Sequence, residues 1–387
     1  MRRFYNSAAI VVLNTLLLLM VVELMSTGVV KIIDLPASRK FIARITGQPN
    51  DVILYYQGLS YYTEQDWSPR YWKEFKLALR KSYSPYVIWQ GTPFEGTLLN
   101  IDPSGLRHTP AAECGPDAYK VYVFGGSAIW GWGAPDESTI PALLQAGLQS
   151  KLGGPVCVMN YGENAYVSTQ GLIHLTLLLE SGDVPDVVIF YDGVNDVLSA
   201  GQSGMPIVHQ NLSDISSLFE DHQAPIISLF RSSNSYQLLQ MVLSQIPISV
   251  ESEAPQFQYD PDLLSDQVAK AYLNNYEIVS SLADKYHFDF YFLWQPHILI
   301  GNKRLSSEEQ NMITGLNWVL NLDPPLVELF QKTFKKIEAE AHTHEHLYYL
   351  GNIFDPAEES LWIDTWGHTT PEGNQIISND LISIIKH

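Results

Sequence analysis

Beyond residue 115 the apolar positions of the chain fall into two alternating patterns. Short runs rich in β-branched and aromatic residues read as buried strands: Tyr119–Phe124, Val156–Asn160, Val187–Tyr191, Phe288–Trp294 and the brief Leu347–Tyr349. Between them lie longer segments with apolar residues at helical spacing. These predict helices over Thr139–Leu152, Ser168–Glu180, Tyr272–Tyr286, Leu326–Ala341 and Pro371–Ile385. Leu172, Leu175, Leu178 and Leu179 mark the apolar face of the second. Ser138 or Thr139 caps the first, with Pro141 in its opening turn, and Thr370 caps the last. Strand–helix alternation of this kind predicts an α/β fold, a parallel sheet with helices on both faces. In such sheets, sites form beyond the carboxyl ends of the strands.

Three segments depart from this pattern. The N-terminus sets Arg2 and Arg3 before a mostly apolar stretch, Ala8–Met25, which Asn14, Thr15 and Glu23 interrupt. A bilayer span needs about 20 apolar residues, with a floor of roughly 17. Val29, Val30, Ile32 and Ile33 extend the stretch. The reading taken here is a cytoplasmic tip at 1–7 and a transmembrane signal-anchor at 8–30, with a cleaved signal peptide or a buried helix as alternatives. Arg2 and Arg3 favour a cytoplasmic N-terminus, and Lys31, Arg39, Lys40 and Arg44 weigh against it. A long following domain is translocated despite such charges, so the bulk of the chain is expected outside the cytoplasm, periplasmic or extracellular. Residues 31–110 are irregular and rich in Tyr, Trp, Pro and Gly, with a helix-like stretch near Trp72–Lys81. They are expected to pack, as a juxtamembrane segment, on a main domain at 111–387. Within that domain, an insertion at about 200–265 is polar and proline-bearing, and reads equally as a lid or a surface excursion.

Charge and cysteine content narrow the function classes. Lys and Arg number 23 against 42 Asp and Glu, a net charge of −19. That argues against a nucleic-acid partner and against tight docking of the folded part on an anionic membrane. Cys114 and Cys157 lie before and within two predicted strands. They form one disulfide in an oxidising compartment, or remain two buried thiols. There is no Cys-x-x-Cys, and the "HTHEH" run at 342–346 has no matching ligand cluster, so neither a metal nor an organic cofactor is expected.

The chemistry gathers at three strand exits: Gly125-Gly126-Ser127, Asn160-Tyr161-Gly162 and Gly193-Val194-Asn195-Asp196. Parallel, adjacent strands would bring a serine hydroxyl, a glycine amide and an asparagine side chain to one edge of the sheet. A serine nucleophile needs donors aimed at the oxygen that becomes negative in the tetrahedral intermediate. The N–H of Ser127, the N–H of Gly162 and the Asn195 amide suit that task. The hydroxyl also needs a base. "LWIDTWGHTTPEGNQIIS" supplies His368 just before the last helix, with Asp364 four residues upstream to hold the imidazole. Asp196 and His297, the latter at another strand exit in "WQPHI", are further candidates for the pocket. A helix cap is the plain alternative for Asp196, and for His297 a packed histidine is the favoured reading over the pocket.

These four blocks, in this order, resemble the SGNH or GDSL-type hydrolase family over about residues 115–387, and the phrases "VFGGS…DESTIPALLQ" and "PDVVIFYDGVND" also resemble its membrane-anchored bacterial branch. The resemblance implies a flavodoxin-like three-layer α/β/α sheet. It assigns Ser127 as nucleophile, Gly162 and Asn195 as oxyanion donors with the Ser127 amide, and Asp364 and His368 as acid and base. Two features depart from the family. Gly126 replaces the acid of the usual Gly-Asp-Ser, and the Asp364–His368 spacing has one residue more. The activity implied is hydrolysis of small acyl esters, O-acetyl groups on glycans foremost, through an acyl-enzyme on Ser127. The alternatives are a polysaccharide O-acetyltransferase, a lipid esterase or thioesterase, and a catalytically silent glycan-binding or assembly subunit.

Overall fold

In the computed structural model of the chain, residues 2–33, 52–220, 233–236, 258–314 and 323–385 are described. Parts of two expected segments lie outside them: residues 34–51, with Arg39, Lys40 and Arg44, and residues 221–232 and 237–257 of the insertion. The chain divides into two compact units, residues 1–55 with 213–256 and residues 56–212 with 257–387.

In the first unit, Arg2–Ile33 forms one helix of 32 residues, α1. Leu18, Leu24 and Met25 on it are largely exposed. Among the described residues, no helix is long and apolar enough to cross a membrane. The structure therefore supplies the expected helix and no support for the expected transmembrane anchor. Asn14, Thr15, Glu23, Ser26 and Thr27 break the apolar run. Glu23 is moreover engaged within its own unit, accepting hydrogen bonds from the Asn234 side chain and the Ser235 N–H, each at 3.0 Å.

The helix α2 (Val52–Gly58) leads into the second unit, followed by α3 (Ser60–Thr63), α4 (Ser68–Ala78) and an antiparallel hairpin of β1 (Lys81–Ser84) and β2 (Ile88–Gly91). Strands and helices then alternate. In order they are β3 (Tyr119–Gly125), α5 (Ser127–Trp130), α6 (Ile140–Leu152), β4 (Val156–Asn160), α7 (Ser168–Glu180), β5 (Val187–Asp192) and α8 (Val194–Ser203). Next come α9 (Leu212–Glu220), counted from Ser213 with the first unit, and α10 (Pro261–Tyr286). The chain closes with β6 (Asp289–Trp294), α11 (Ser307–Thr314), α12 (Pro324–Ala341), β7 (Leu347–Tyr349) and α13 (Pro371–Ile384).

Helix starts follow their caps. Thr139 accepts from the Ala142 N–H, and Thr370 from the Gly373 N–H, both at 3.3 Å. The helix expected from Tyr272 begins at Pro261, because Asp260 caps it and a proline opens it. The stretch near Trp72 likewise begins at Ser68, with Pro69 in its first turn.

The sheet has the order β4-β3-β5-β6-β7 and is parallel throughout. Counted by appearance this is the flavodoxin-like order, whose switch point lies beside its first strand, here β3. On one face, Tyr122, Phe124, Phe190 and Phe292 join Leu175 of α7, Val197 of α8, Tyr272 of α10 and Phe330 of α12 in a continuous core. Alternate strand residues point the opposite way, so the buried Val121, Val123, Val187 and Ile189 face the second layer, where α6 packs on β4 and α13 on α6. The register levels the strand ends: Val123 lies opposite Asn160, and Gly125 opposite Tyr191. Cys114 and Cys157 are joined in a disulfide, with a Cα–Cα distance of 4.8 Å, tying the approach to β3 onto the edge strand β4.

Candidate active site

The chain leaves β3 at Gly125, turns at Gly126, and enters α5 with Ser127 as its first residue. An N–H in that position has no acceptor within its own helix. The Ser127 hydroxyl lies 2.6 Å from His368 Nε2. On the other side of the ring, His368 Nδ1 is 2.6 Å from Asp364 Oδ2. A carboxylate only accepts, so Nδ1 carries the proton and Nε2 is left to accept from the serine.

The extra residue between Asp364 and His368 is taken up by the shape of their loop. Trp362 pairs with Thr369 in an isolated bridge, and the Ile363 N–H donates to the His368 carbonyl at 3.1 Å. Gly367 turns the chain at φ +86°, a backbone region that suits glycine. The carboxylate is thereby folded back on the imidazole. Its Oδ1 accepts the N–H groups of Trp366 at 2.8 Å and His368 at 3.3 Å. A further donor comes from far upstream: the Tyr56 hydroxyl donates to Asp364 Oδ2 at 2.6 Å. Burial pushes the Asp364 carboxyl up, but the charge and hydrogen bond of His368, then Tyr56 and the Trp366 amide, outweigh it and hold it below its usual value.

Aromatic side chains enclose the pair. The Trp132 ring stacks on His368 at 5.0 Å and 7°. Phe75 of α4 meets Trp132 edge-on at 4.7 Å, and Tyr56 stacks on Trp72 at 4.8 Å. The turn bearing Trp132 is fixed by the buried Arg107, which donates to Asp136 Oδ1 at 2.6 Å and to the Ala134 carbonyl at 2.9 Å.

The Asn195 amide stands against the serine turn. A Cβ placed on Gly126 would fall 2.2 Å from Asn195 Nδ2. Asn195 is launched into α8 by Gly193, at φ +128°, where a side chain would strike the Trp294 ring at 2.7 Å. Its Nδ2 donates to the Tyr166 carbonyl at 2.8 Å, and its Oδ1 accepts from Gln210 at 2.9 Å. Two neighbours thus fix the orientation of the amide, and Nδ2 has a second N–H beyond the one given to Tyr166.

Gly162 requires a correction. It packs against α5 so closely that a Cβ would lie 2.6 Å from the Trp130 nitrogen. Its N–H, expected to be an open donor, is engaged by Asn160 Oδ1 at 3.0 Å. Asn160 also donates to the Ile129 carbonyl at 2.9 Å, so it clamps the turn to α5. Of the two pocket candidates, Asp196 is bound up outside the pocket and His297 takes the packed reading favoured for it. Asp196 caps α7: it accepts from the Ser168 hydroxyl at 2.5 Å and from the Ser168 N–H at 3.2 Å. Burial pushes its carboxyl up to about 6 despite these bonds, and burial with the nearby Asp196 charge raises Asp192. His297 is fully buried, bonded through Nε2 to the Thr365 carbonyl at 2.9 Å and stacked on Phe330 at 4.3 Å. Burial lowers it to about 4, so it is a neutral strut under the Asp364 loop.

Sequence reasoning missed Tyr56, Trp132, Asn160 and Gln210. Trp132 stood five residues past the serine, and Tyr56 in an aromatic-rich stretch. Among the described residues, no group of three or more His, Cys, Asp and Glu is placed to hold a metal ion.

No family model matches the chain, and no curated protein matches its sequence. Solved structures align with 69% of it. One is a member of the lipolytic G-D-S-L family from Veillonella parvula, at 12% identity over 97% of that chain, with a TM-score of 0.38. A second is an acetyl xylan esterase, at 17% over 100%, with a TM-score of 0.36. A third is a catalytic mutant of an acetylxylan esterase from Geobacillus stearothermophilus, at 13% over 93%, with a TM-score of 0.35. At these scores they are likenesses alone, and the chemistry of the site rests on the distances above.

Proposed function

We propose that the protein is a serine hydrolase of ester bonds, of the SGNH type. The observation that carries this reading is the unbroken chain from Ser127 Oγ to His368 Nε2, and from His368 Nδ1 to Asp364, with both links at 2.6 Å. Ser127 attacks the ester carbonyl as its proton passes to Nε2. The charged imidazole is held by Asp364. The oxyanion is met by the Ser127 N–H and the Asn195 amide. The imidazolium then gives its proton to the departing alkoxide, and the ester C–O bond breaks. Water, deprotonated by the same Nε2, attacks the acyl-serine; the acyl–Oγ bond breaks, Nε2 returns the proton to Ser127 Oγ, and the acid leaves.

Small acyl esters, O-acetyl groups on glycans foremost, are the proposed substrates, by the resemblance of the four sequence blocks. The disulfide supports a working place outside the reducing cytoplasm. Attachment to a membrane through α1 belongs to this proposal only as its cellular setting, and carbonate extraction of membranes tests it. The catalytic reading is tested with nitrophenyl esters of two to twelve carbons and with acetylated xylan. The expected outcome is fastest turnover on the acetyl ester, free acetate as product, and no turnover by Ser127→Ala. Preference for the longest chain would replace the proposed substrate class with lipids, and acetate retained on a sugar acceptor would make the enzyme a transferase.

A further inference from the structure

We infer that Tyr56 is a positioning residue of the site, and that its hydroxyl sets how strongly Asp364 holds the charged form of His368. The inference rests on the serine-hydrolase reading and adds to it a part supplied by the aromatic N-terminal segment of the catalytic unit.

Two donors converge on one oxygen. Asp364 Oδ2 accepts both the His368 Nδ1–H and the Tyr56 hydroxyl, each at 2.6 Å. Hydrogen bonds to an ionised acceptor are short and strong, and both donors draw on the same negative charge. Charge withdrawn by the phenol is not available to the imidazolium. The hydroxyl thereby moderates the base and fixes the rotation of the carboxylate.

The phenol is itself held by its surroundings. Tyr56 is 1% exposed, stacked on Trp72 at 4.8 Å and 4°, and edge-on to Trp132 at 6.2 Å. Trp132 in turn covers His368. One aromatic wall therefore carries the donor to the acid and the face against the base, and Phe in place of Tyr56 keeps that wall while deleting the donor. Among the described residues, Tyr62 and His297 are further titratable groups facing the pair, and Glu372 stands beyond them against Tyr61 and Tyr62. The Tyr62 hydroxyl donates to the Gly133 carbonyl at 2.8 Å, His297 is buried and neutral, and Glu372 lies in the first turn of α13.

The test compares the full chain with its Tyr56→Phe variant. On nitrophenyl acetate, the acid limb of kcat/KM against pH should move up by about half to one unit, because the undivided carboxylate charge favours the imidazolium. In proton NMR, the low-field His368 Nδ1–H resonance should move further downfield. A purely structural tyrosine would move neither. Fluorotyrosine at position 56, a stronger donor, should shift the acid limb the opposite way, and it decides the matter if Tyr56→Phe does not fold. An unmoved limb together with an unmoved resonance overturns the inference. Absence of turnover by the wild type would instead fail the hydrolase reading, and the resonance then decides the role of Tyr56 alone.

Discussion

Alanine at Gly126 places a methyl group where the Asn195 amide now stands. The backbone there, at φ −84° and ψ −153°, admits any residue, so the effect is steric alone. The new Cβ would lie 2.2 Å from Asn195 Nδ2, and the amide must retreat by roughly 1 Å to reach an ordinary contact. Retreat breaks or stretches its bonds to Tyr166 and Gln210. Loss of one preorganised oxyanion donor lowers kcat by about 10²–10³. Gly126→Ala should therefore lower kcat on nitrophenyl acetate about a hundredfold, with KM nearly unchanged, since the donor acts only in the transition state. Overpacking should also remove about 1–3 kcal/mol of stability, read by urea unfolding. The control is the double variant with Asn195→Ala, which should be no slower than Asn195→Ala alone, because the clash has nothing left to displace. A Gly126→Ala enzyme within about threefold of wild type, where the displaced donor calls for a hundredfold, refutes the reasoning. So does a double variant in which the two losses multiply.

Other predictions concern what surrounds the site. Arg107→Met should destabilise the fold by about 3–5 kcal/mol in urea unfolding, because Asp136 is left as an uncompensated buried charge; a loss below about 1 kcal/mol contradicts the role given to the pair. Replacing Cys114 and Cys157 together by alanine releases a loop with a sequence separation of 43, and should cost about 4 kcal/mol under non-reducing conditions. Equal midpoints with and without the bridge would remove that account. His297 titrates at about 4 in the fold, against about 6.5 in the unfolded chain. As pH falls the unfolded chain takes the proton first, so the stability from burying neutral His297 is full above pH 6.5 and is lost toward pH 4. His297→Gln should remove that slope, narrowing the difference between pH 7 and pH 4 by about 3 kcal/mol; parallel curves would contradict it.

The sheet was legible because each of its strands is a short buried run followed by a helix, and parallel alternation leaves little choice of topology. That Ser127 and His368 would meet was legible for a related reason: Ser127 opens α5 beside Gly126, and His368 stands beside Gly367 just ahead of α13. Contacts that cross the chain were not. Tyr56 meets Asp364 across 308 positions, through a wall of rings whose packing no local pattern encodes. Gln210 lies in a stretch that read as an insertion, yet it steadies the Asn195 amide. Gly162 was read as an oxyanion donor, but the direction of its N–H depends on the Asn160 side chain two residues back. His297 was read foremost as a packed histidine, and the structure buries it against Phe330. For α1, counting apolar residues predicted the helix; it did not register that Glu23 binds the segment at 234–235.

The account depends on a serine hydroxyl made nucleophilic by its neighbours. Intact-mass analysis after reaction with a fluorophosphonate, followed by peptide mapping, measures that directly. Wild type should gain one adduct, on Ser127, while Ser127→Ala and His368→Ala gain none on the same timescale. Equal labelling of wild type and Ser127→Ala, or a wild type that stays unmodified, would contradict the central claim.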